Sequence, residues 1–393
     1  MKPDRLTTAS IETKLIHADR HLNSTSAVSP PICQTATFRA HSAEDFAHRS
    51  DEPRHPEFYA RYGNPTSSQV ESVLAALEGA ESALVTASGM SAVSTAVLTI
   101  VGQGSHVVAQ TNHYGATITL LQKLLPKFGV AVTQVDQRDA AAFERALKPN
   151  TKLILVETPS NPVMALTDLR AVASLGKARG ITTLVDSTFA TPINQRPLDL
   201  GCDLVFHSAT KYFGGHSDLL AGVVMGSKDW ITQIWNTHIV LGGVLGPFNS
   251  WLMLRGLRTL ALRIRQHNQN AMALAEFLEG HRAVKAVHYP GLKSYSQHDL
   301  ARNQMLGFGG MLSFEVHGGT EGANRFLDRL RLASHATSLG GVETLAVNAA
   351  SNFAHYMSVE EAARLGIVPG LIRVSVGLEG QNDLMADFDQ ALG

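Results

Sequence analysis

The residues best equipped for chemistry sit in one run, His207-Ser208-Ala209-Thr210-Lys211-Tyr212-Phe213-Gly214-Gly215-His216. It follows an apolar stretch, Asp203-Leu204-Val205-Phe206, that reads as a strand, and it leads into a glycine-softened turn. A lysine held there out of bulk water loses its proton more readily, because burial disfavours the ammonium. The free amine can then form a Schiff base with an aldehyde cofactor. Ser208 and Thr210 flank it with hydroxyls able to donate to a phosphate. Upstream, a second apolar stretch, Ile181 to Val185, ends in Asp186, a carboxylate able to pair with a protonated pyridine nitrogen. Lysine plus aspartate is the minimum equipment for pyridoxal phosphate (PLP).

Taken singly, each residue has an ordinary explanation. An aspartate before Ser187-Thr188 serves commonly as a turn or cap residue, and a lysine beside an apolar run commonly snorkels to the surface. Together they fall at the carboxyl ends of two apolar runs in an alternating strand and helix pattern, where open α/β sheets bind ligands.

The elements that must position them are legible from periodicity. Ser67 to Leu77 reads as a helix stopped at Glu78-Gly79, and Ser82 to Thr86 as a strand. Ala87-Ser88-Gly89-Met90-Ser91 then enters a helix over Ala92 to Val101, whose free backbone N–H groups could hold a phosphate. On the residues alone, an ordinary N-cap by Ser88 explains the same pattern. Strands at His106 to Ala109, Ala131 to Val135 and Lys152 to Glu157 alternate with helices at Ala116 to Phe128, Ala140 to Leu147 and Asp168 to Gly176. The rhythm predicts an α/β fold with a mostly parallel sheet covered on both faces. Gly102-x-Gly104 lacks a third glycine and follows a helix, so it is no dinucleotide loop. Thr86-Ala-Ser88-Gly-Met90 likewise fails the Gly-x-Ser-x-Gly nucleophile elbow.

Beyond Gly246, Asn249 to His267 reads as one long helix carrying Arg255, Arg258, Arg263 and Arg265, followed by strands at Gly310 to Val316 and Leu371 to Val376. The expected division is an extended arm over residues 1–55 lying on a neighbouring subunit, a large cofactor domain over 56–246 and a smaller α/β domain over 247–393. At 393 residues, two domains sharing a cleft are expected.

Composition excludes several classes. The chain is 44% hydrophobic, and its 33 basic and 34 acidic residues leave no electrostatic footprint for nucleic acid, so a small-molecule substrate is expected. Cys33 and Cys202, the only two cysteines, support neither a disulfide framework nor a cysteine-rich zinc site, and they fit a reducing cytoplasm. The first twenty residues contain no apolar core of a signal peptide, and no stretch is apolar enough to span a membrane. Seventeen histidines invite a metal reading, but no His-Glu-x-x-His spacing appears. His17, His113, His207, His216 and His238 read as hydrogen-bonded or surface groups, and no metal is expected.

The chain resembles the PLP-dependent enzymes of cysteine and methionine metabolism, the trans-sulfuration family. The resemblance covers nearly the whole chain and is carried by Tyr59-Ala-Arg61-Tyr-Gly-Asn-Pro-Thr66, Ser88-Gly-Met90, Glu157-Thr-Pro-Ser-Asn161-Pro, Val185-Asp-Ser-Thr-Phe189-Ala-Thr-Pro192 and Ser208-Ala-Thr-Lys211 with Gly214-Gly215-His216. Leu241-Gly-Gly243, Arg255-Gly-Leu-Arg-Thr-Leu260, Tyr289-Pro-Gly-Leu292 and Gln304-Met-Leu-Gly-Phe-Gly-Gly310 are most similar to the plant-type cystathionine γ-synthases.

The resemblance implies the PLP fold type I and a set of roles. Ser88, Gly89, Met90, Ser208 and Thr210 would hold the phosphate, Lys211 the aldehyde carbon and Asp186 the pyridine nitrogen. Tyr114 would stack on the ring with its phenol near the substrate, as a catalytic residue beside Lys211 and Asp186. Tyr59 and Arg61 would reach the phosphate from the neighbouring subunit, which implies a dimer unit and a homotetramer. Arg373, with Asn161 and the Ser338-Leu-Gly-Gly341 loop, would clamp the substrate carboxylate. An arginine inside an apolar strand is costly to desolvate unless an anion meets it, so Arg373 points to a ligand even without the resemblance.

These roles imply γ-replacement on an activated homoserine ester, with cysteine giving cystathionine for methionine biosynthesis. The alternatives are a cystathionine or methionine γ-lyase releasing 2-oxobutyrate and ammonia, a homoserine-ester sulfhydrylase, or a catalytically silent PLP-binding protein. Thr337 stands where many bacterial synthases and γ-lyases carry glutamate. Ala116 replaces the cysteine usual in methionine γ-lyases, and Ser187 matches the small residue of plant-type synthases. The synthase is therefore ranked first.

Overall fold

A computed structural model of the chain describes residues 8–353 and 358–393. The first seven residues of the expected arm lie outside them. Among the described residues, no helix is long and apolar enough to cross a membrane.

A seven-stranded sheet is built from β1 (Ser82–Thr86), β2 (His106–Gln110), β3 (Ala131–Val135), β4 (Thr151–Glu157), β5 (Thr182–Asp186), β6 (Leu204–His207) and β7 (Gly222–Gly226), in the order β1-β7-β6-β5-β4-β2-β3. Strands β3, β2, β4, β5 and β6 run parallel, while β7 and β1 close the edge with antiparallel pairs. This is the mostly parallel sheet that the alternating pattern predicts. Its central strands are apolar on both faces because helices cover both: Val107, Leu153, Leu155 and Leu184 pack on one side, Val108, Ile154, Val156 and Val185 on the other. The register sets Glu157 opposite Asp186 and Asp186 opposite Phe206, so three side chains of one pleat line up along the carboxyl edge.

A second sheet, β8 (Val284–His288), β9 (Met311–Val316), β10 (Ser334–His335), β11 (Leu345–Asn348) and β12 (Leu371–Ser375), is ordered β10-β11-β12-β9-β8 and is antiparallel except for β10 with β11. It packs its own core of Leu274, Tyr289, Phe314, Phe326 and Phe388. Arg373 sits in the middle of β12.

Three expectations change. The helix expected over 249–267 is two, Pro247–Leu257 and Leu260–Glu279, with Thr259 at φ −110°, ψ 6° between them. The break brings Gly256 against the lysine loop, where a Cβ would fall 2.4 Å from Gly214 O. Buried Arg263 then donates to Gly256 O at 2.7 Å and Tyr212 O at 2.8 Å, satisfying a carbonyl left over at the helix end while fixing the residue after Lys211.

Among its described residues, the segment expected as an extended arm contains two α-helices, Ile11–His17 and Ala43–Asp51, whose N-caps Ser10 and Ser42 accept from Thr13 N and Asp45 N. Leu15 is buried among Val70, Val73 and Leu74 of this same chain. The helix expected over 116–128 divides into an α-helix, Gly115–Thr119, a π turn, Leu120–Leu124, and a 3-10 turn, Leu125–Phe128. Pro126, lacking an N–H, cannot continue a regular α-helical ladder there.

Candidate active site

The carboxyl edge of the large sheet and the loop before β11 enclose a cavity of about 420 Å³. Lys211 enters it from the loop after β6. The loop is tight: Lys211 N donates to Ser208 O, Gly214 N to Ala209 O and Gly215 N to Lys211 O. The Lys211 ammonium donates to Ser338 Oγ at 2.7 Å. Burial, then the Arg373 charge, pulls Lys211 down to about 8 from the usual lysine range.

Ser338 has φ +84°, a left-handed conformation unusual for a residue with a side chain. It is held there by Arg373 Nη2 donating to Ser338 O at 3.0 Å, and by Gly340 N donating to Ser375 Oγ at 2.8 Å. Gly340 itself lies so close to the lysine loop that a Cβ would fall 2.7 Å from Tyr212 N.

Asp186 faces the cavity from the end of β5. Its Oδ1 accepts from Thr188 N at 2.9 Å and Thr188 Oγ1 at 2.5 Å, and Thr188 Oγ1 accepts in turn from Ser208 N at 2.9 Å. Thr188 thus couples the carboxylate to the lysine loop, a role sequence reasoning missed; its position two residues after the aspartate, where an Asx turn places a donor, is the signal that could have found it. Burial, then the Glu157 carboxylate, pushes Asp186 up to about 7 against the two Thr188 hydrogen bonds. A cation opposite it would reverse that shift, which is what a protonated ring nitrogen supplies.

Glu157 was also missed. Its Oε2 accepts from Tyr114 N at 2.7 Å and its Oε1 from Asn161 N at 3.1 Å, so one buried carboxylate sets the backbone of two cavity residues. The half-exposed Tyr114 ring lines the cavity.

At the other end stands the N-terminus of the helix Gly89–Ile100. Ser88 is its N-cap and accepts from Ser91 N at 3.0 Å, as one of the two readings of this stretch requires. Ser88, Gly89 and Met90 line the cavity, so the first turn stands beside the space that a phosphate would take. A Cβ on Gly89 would fall 2.8 Å from Ser208 Cβ, so only glycine lets the helix end and the lysine loop form one cradle. Thr210 lines the cavity, but its hydroxyl donates to Ala221 O at 3.2 Å and accepts from Ala221 N at 3.0 Å. Its proton must turn to meet a phosphate.

Arg373 is 5% exposed. Its Nη1 donates to Asn161 Oδ1 at 3.2 Å, and its buried Nε has no hydrogen-bond partner among the described residues. Burial pulls it down to about 10, yet it stays a cation at neutral pH. A carboxylate would satisfy that nitrogen and the charge together. Tyr59 and Arg61 are not brought to this cavity in their own chain. Arg61 Nη1 donates to Ile239 O at 2.6 Å, and its guanidinium lies over the Tyr59 and Tyr62 rings.

Behind the lysine loop lies a buried pair that corrects the reading of His207 as a hydrogen-bonded or surface group: its ring is buried. Glu78 ends the helix Pro65–Glu78, and its Oε2 is 3.7 Å from His207 Nε2; neither side chain has a hydrogen-bond partner among the described residues. Burial raises Glu78 well above the carboxylate range and lowers His207 to about 3, so both are uncharged at neutral pH. A carboxyl raised on folding contributes stability that is full below its unfolded value and lost as pH rises. Glu78→Gln should therefore gain stability relative to wild type as pH rises above the ordinary glutamate range, by one proton's dependence. Denaturant unfolding at stepped pH checks this, and a parallel dependence of the two proteins would refute the neutral state.

The lowered Lys211 gives a second expectation. Capture of pyridoxal phosphate by protein freed of it should speed up with pH about a midpoint near 8, followed by absorbance; a midpoint near 10.5 would show an ordinary, solvated lysine.

An amine loop, a buried carboxylate facing it and a helix N-terminus at one sheet edge define an enzyme class that works through a lysine-bound aldehyde cofactor. Residues 12–393 match the family of Cys/Met metabolism PLP-dependent enzymes, and the chain belongs to that family. Its cofactor is pyridoxal phosphate, and the Gly89–Ser208 cradle, Asp186 and Lys211 fit phosphate, ring nitrogen and aldehyde. The chain is 42% identical over 395 residues to an L-methionine gamma-lyase of Porphyromonas gingivalis, covering 100% of this chain and 99% of the relative. It is 43% identical over 385 residues to the chloroplastic cystathionine gamma-synthase 1 of Arabidopsis thaliana, covering 96% of this chain and 68% of the relative. The fold superposes with TM-score 0.91 on a crystal structure of cystathionine gamma-lyase from Lactobacillus plantarum complexed with L-serine, at 37% identity and 98% coverage of each chain.

Proposed function

We propose that the chain catalyses γ-replacement, joining cysteine to an activated homoserine ester to give cystathionine. The observation that carries this reading is a cleft of about 600 Å³ that shares Thr210, Leu220, Thr337 and Ser338 with the Lys211 cavity. It gives a second amino acid room to approach the γ carbon of the first. A γ-lyase acting on cystathionine or methionine is the second reading, favoured by the lyase relatives.

When bound, PLP supplies an electron sink for the charge left at the substrate's Cα. Asp186, lining the cavity, would hold the ring nitrogen protonated. Lys211, freed by the incoming amine, would take the proton from Cα, pass it to the cofactor's aldehyde carbon and, neutral again, take one from Cβ, so that the γ substituent departs with its bonding electrons. The cysteine thiolate would then add at Cγ while Lys211 returns the proton to Cβ. Ser338 Oγ, 2.7 Å from that amine, orients it between these tasks. Arg373, held by Asn161 and Ser338 O, would grip the α-carboxylate and so orient Cα toward Lys211. Tyr114, in the cavity wall, would stack on the ring. Tyr59 and Arg61 of a second copy complete the phosphate site, in a tetramer built from such dimers. The parts 56–246 and 247–393 act as two domains whose cleft closes on substrate.

Arg373→Ala should lower kcat/KM by about 10²–10³-fold, mainly through KM, because the loss is a charge-assisted carboxylate grip present before the chemistry. Steady-state kinetics check the split. Product assays decide the reading: acetyl, succinyl and phosphate esters of homoserine with and without cysteine, and cystathionine and methionine alone. Cystathionine formed from an ester plus cysteine is expected. Efficient cleavage of cystathionine, with no ester plus cysteine yielding it, would overturn the synthase.

A further inference from the structure

Away from the Lys211 cavity, His48, Glu52 and His55 bring one ligand atom each within 4.8 Å of one another. The backbone explains their alignment. Glu52 N donates to His48 O at 3.1 Å and His55 N to Glu52 O at 3.2 Å, so the three residues follow one hydrogen-bonded ladder off the end of the helix Ala43–Asp51 and share a face. Their spacing, His48-x₃-Glu52-x₂-His55, is not a motif for which a histidine scan is usually made.

The turn is also stiff. Arg49 donates to Asp45 Oδ1 at 2.8 Å and to Glu57 O at 2.9 Å, while Arg54 donates to Glu71 Oε2 at 2.7 Å and Ser82 Oγ at 2.8 Å. Both arginines turn away from the cluster to these partners, and they clamp the chain on either side of Glu52. A clamped backbone lowers the entropy lost when three side chains are gathered on an ion.

We propose that His48, Glu52 and His55 form a site for one divalent transition-metal ion of the zinc type, with a fourth position open to water. Two imidazoles and one carboxylate suit zinc, cobalt or nickel, whereas calcium and magnesium require oxygen ligands. Zinc bonds of roughly 2.0–2.1 Å put tetrahedral ligands on the order of 3.3 Å apart, so the cluster must contract. Glu52 and His48, exposed in the single chain, supply that movement, since the Glu52 carboxylate is already 3.9 Å from His55 Nε2.

One contact limits the affinity. Glu57 N donates to His55 Nδ1 at 3.0 Å, which leaves the ring proton on Nε2. Coordination through Nε2 moves that proton to Nδ1 and ends the bond from Glu57, weakening binding about fivefold. Micromolar affinity is therefore expected. The inference is independent of the reaction proposed for the Lys211 cavity.

The test uses the holoenzyme stripped of adventitious metal, titrated with Zn²⁺ against a chromophoric chelator and with Co²⁺ by visible absorption. One Zn²⁺ per chain, a tetrahedral Co²⁺ band and an unchanged cofactor band are expected. His48→Gln and His55→Gln should each weaken binding at least about tenfold, and Glu52→Gln less. Exposed His48 makes His48→Gln safe for folding. Zinc bound equally well by both histidine variants, zinc bound only with a change in the cofactor band, or no binding by wild type at 100 μM (roughly a hundred times the expected Kd) would each overturn the site.

Discussion

Lys211→Ala is expected to lower turnover by about 10⁴-fold or more, a loss that combines the acid and base role with the covalent anchor. Neither Arg373 nor Asp186 can take over. Arg373 cannot deprotonate usefully, and Asp186 is tied to Thr188 at the far side. Lys211→Arg should be as inactive, since its charge is kept but its proton is not given up. Small primary amines added to Lys211→Ala should restore part of the rate, because the space and the orienting Ser338 hydroxyl remain. Single-turnover kinetics with and without amine test both statements, and a variant retaining more than a hundredth of wild-type turnover without added amine would refute the role.

Asp186→Asn is expected to lower kcat by about 10²–10³-fold, the scale of removing one preorganised electrostatic partner of a developing charge. The substitution isolates charge from shape. An asparagine Oδ1 accepts the same two bonds from Thr188, so the link to Ser208 N and the lysine loop persists while the negative charge is lost. Substrate KM should change little, since Arg373 holds the carboxylate. Thr188→Ala, which keeps the charge and removes its tether, should cost only about tenfold. Equal kcat in Asp186→Asn and wild type would remove Asp186 from the mechanism.

The chemistry-bearing strand ends were legible because buried parallel strands are short apolar runs, and the residue that follows each run lies at the sheet's carboxyl edge. That reasoning placed Lys211 and Asp186 in one cavity. It did not see β7, whose five residues are bounded by Gly222 and Gly226, nor why glycine is needed there: a Cβ on Gly222 would fall 2.2 Å from Ser88 O. The break at Thr259 was equally hidden, because periodicity continues across it and the close approach of Gly256 to Gly214 O joins residues distant in sequence. The helices Ile11–His17 and Ala43–Asp51 carried readable serine N-caps, but their apolar content is too low to announce a helix. Thr188 announces itself locally, through its Asx-turn spacing from Asp186, whereas Glu157 accepts from Tyr114 N across 43 residues of sequence, a contact only the fold reveals.

The claim on which everything else rests is a covalent link between Lys211 and pyridoxal phosphate. Reducing the holoenzyme with borohydride and mapping the modified peptide by mass spectrometry tests it most directly. One pyridoxyl phosphate per chain, attached to Lys211, is the predicted result. Attachment to another lysine, or a protein that takes up no pyridoxal phosphate, would contradict it.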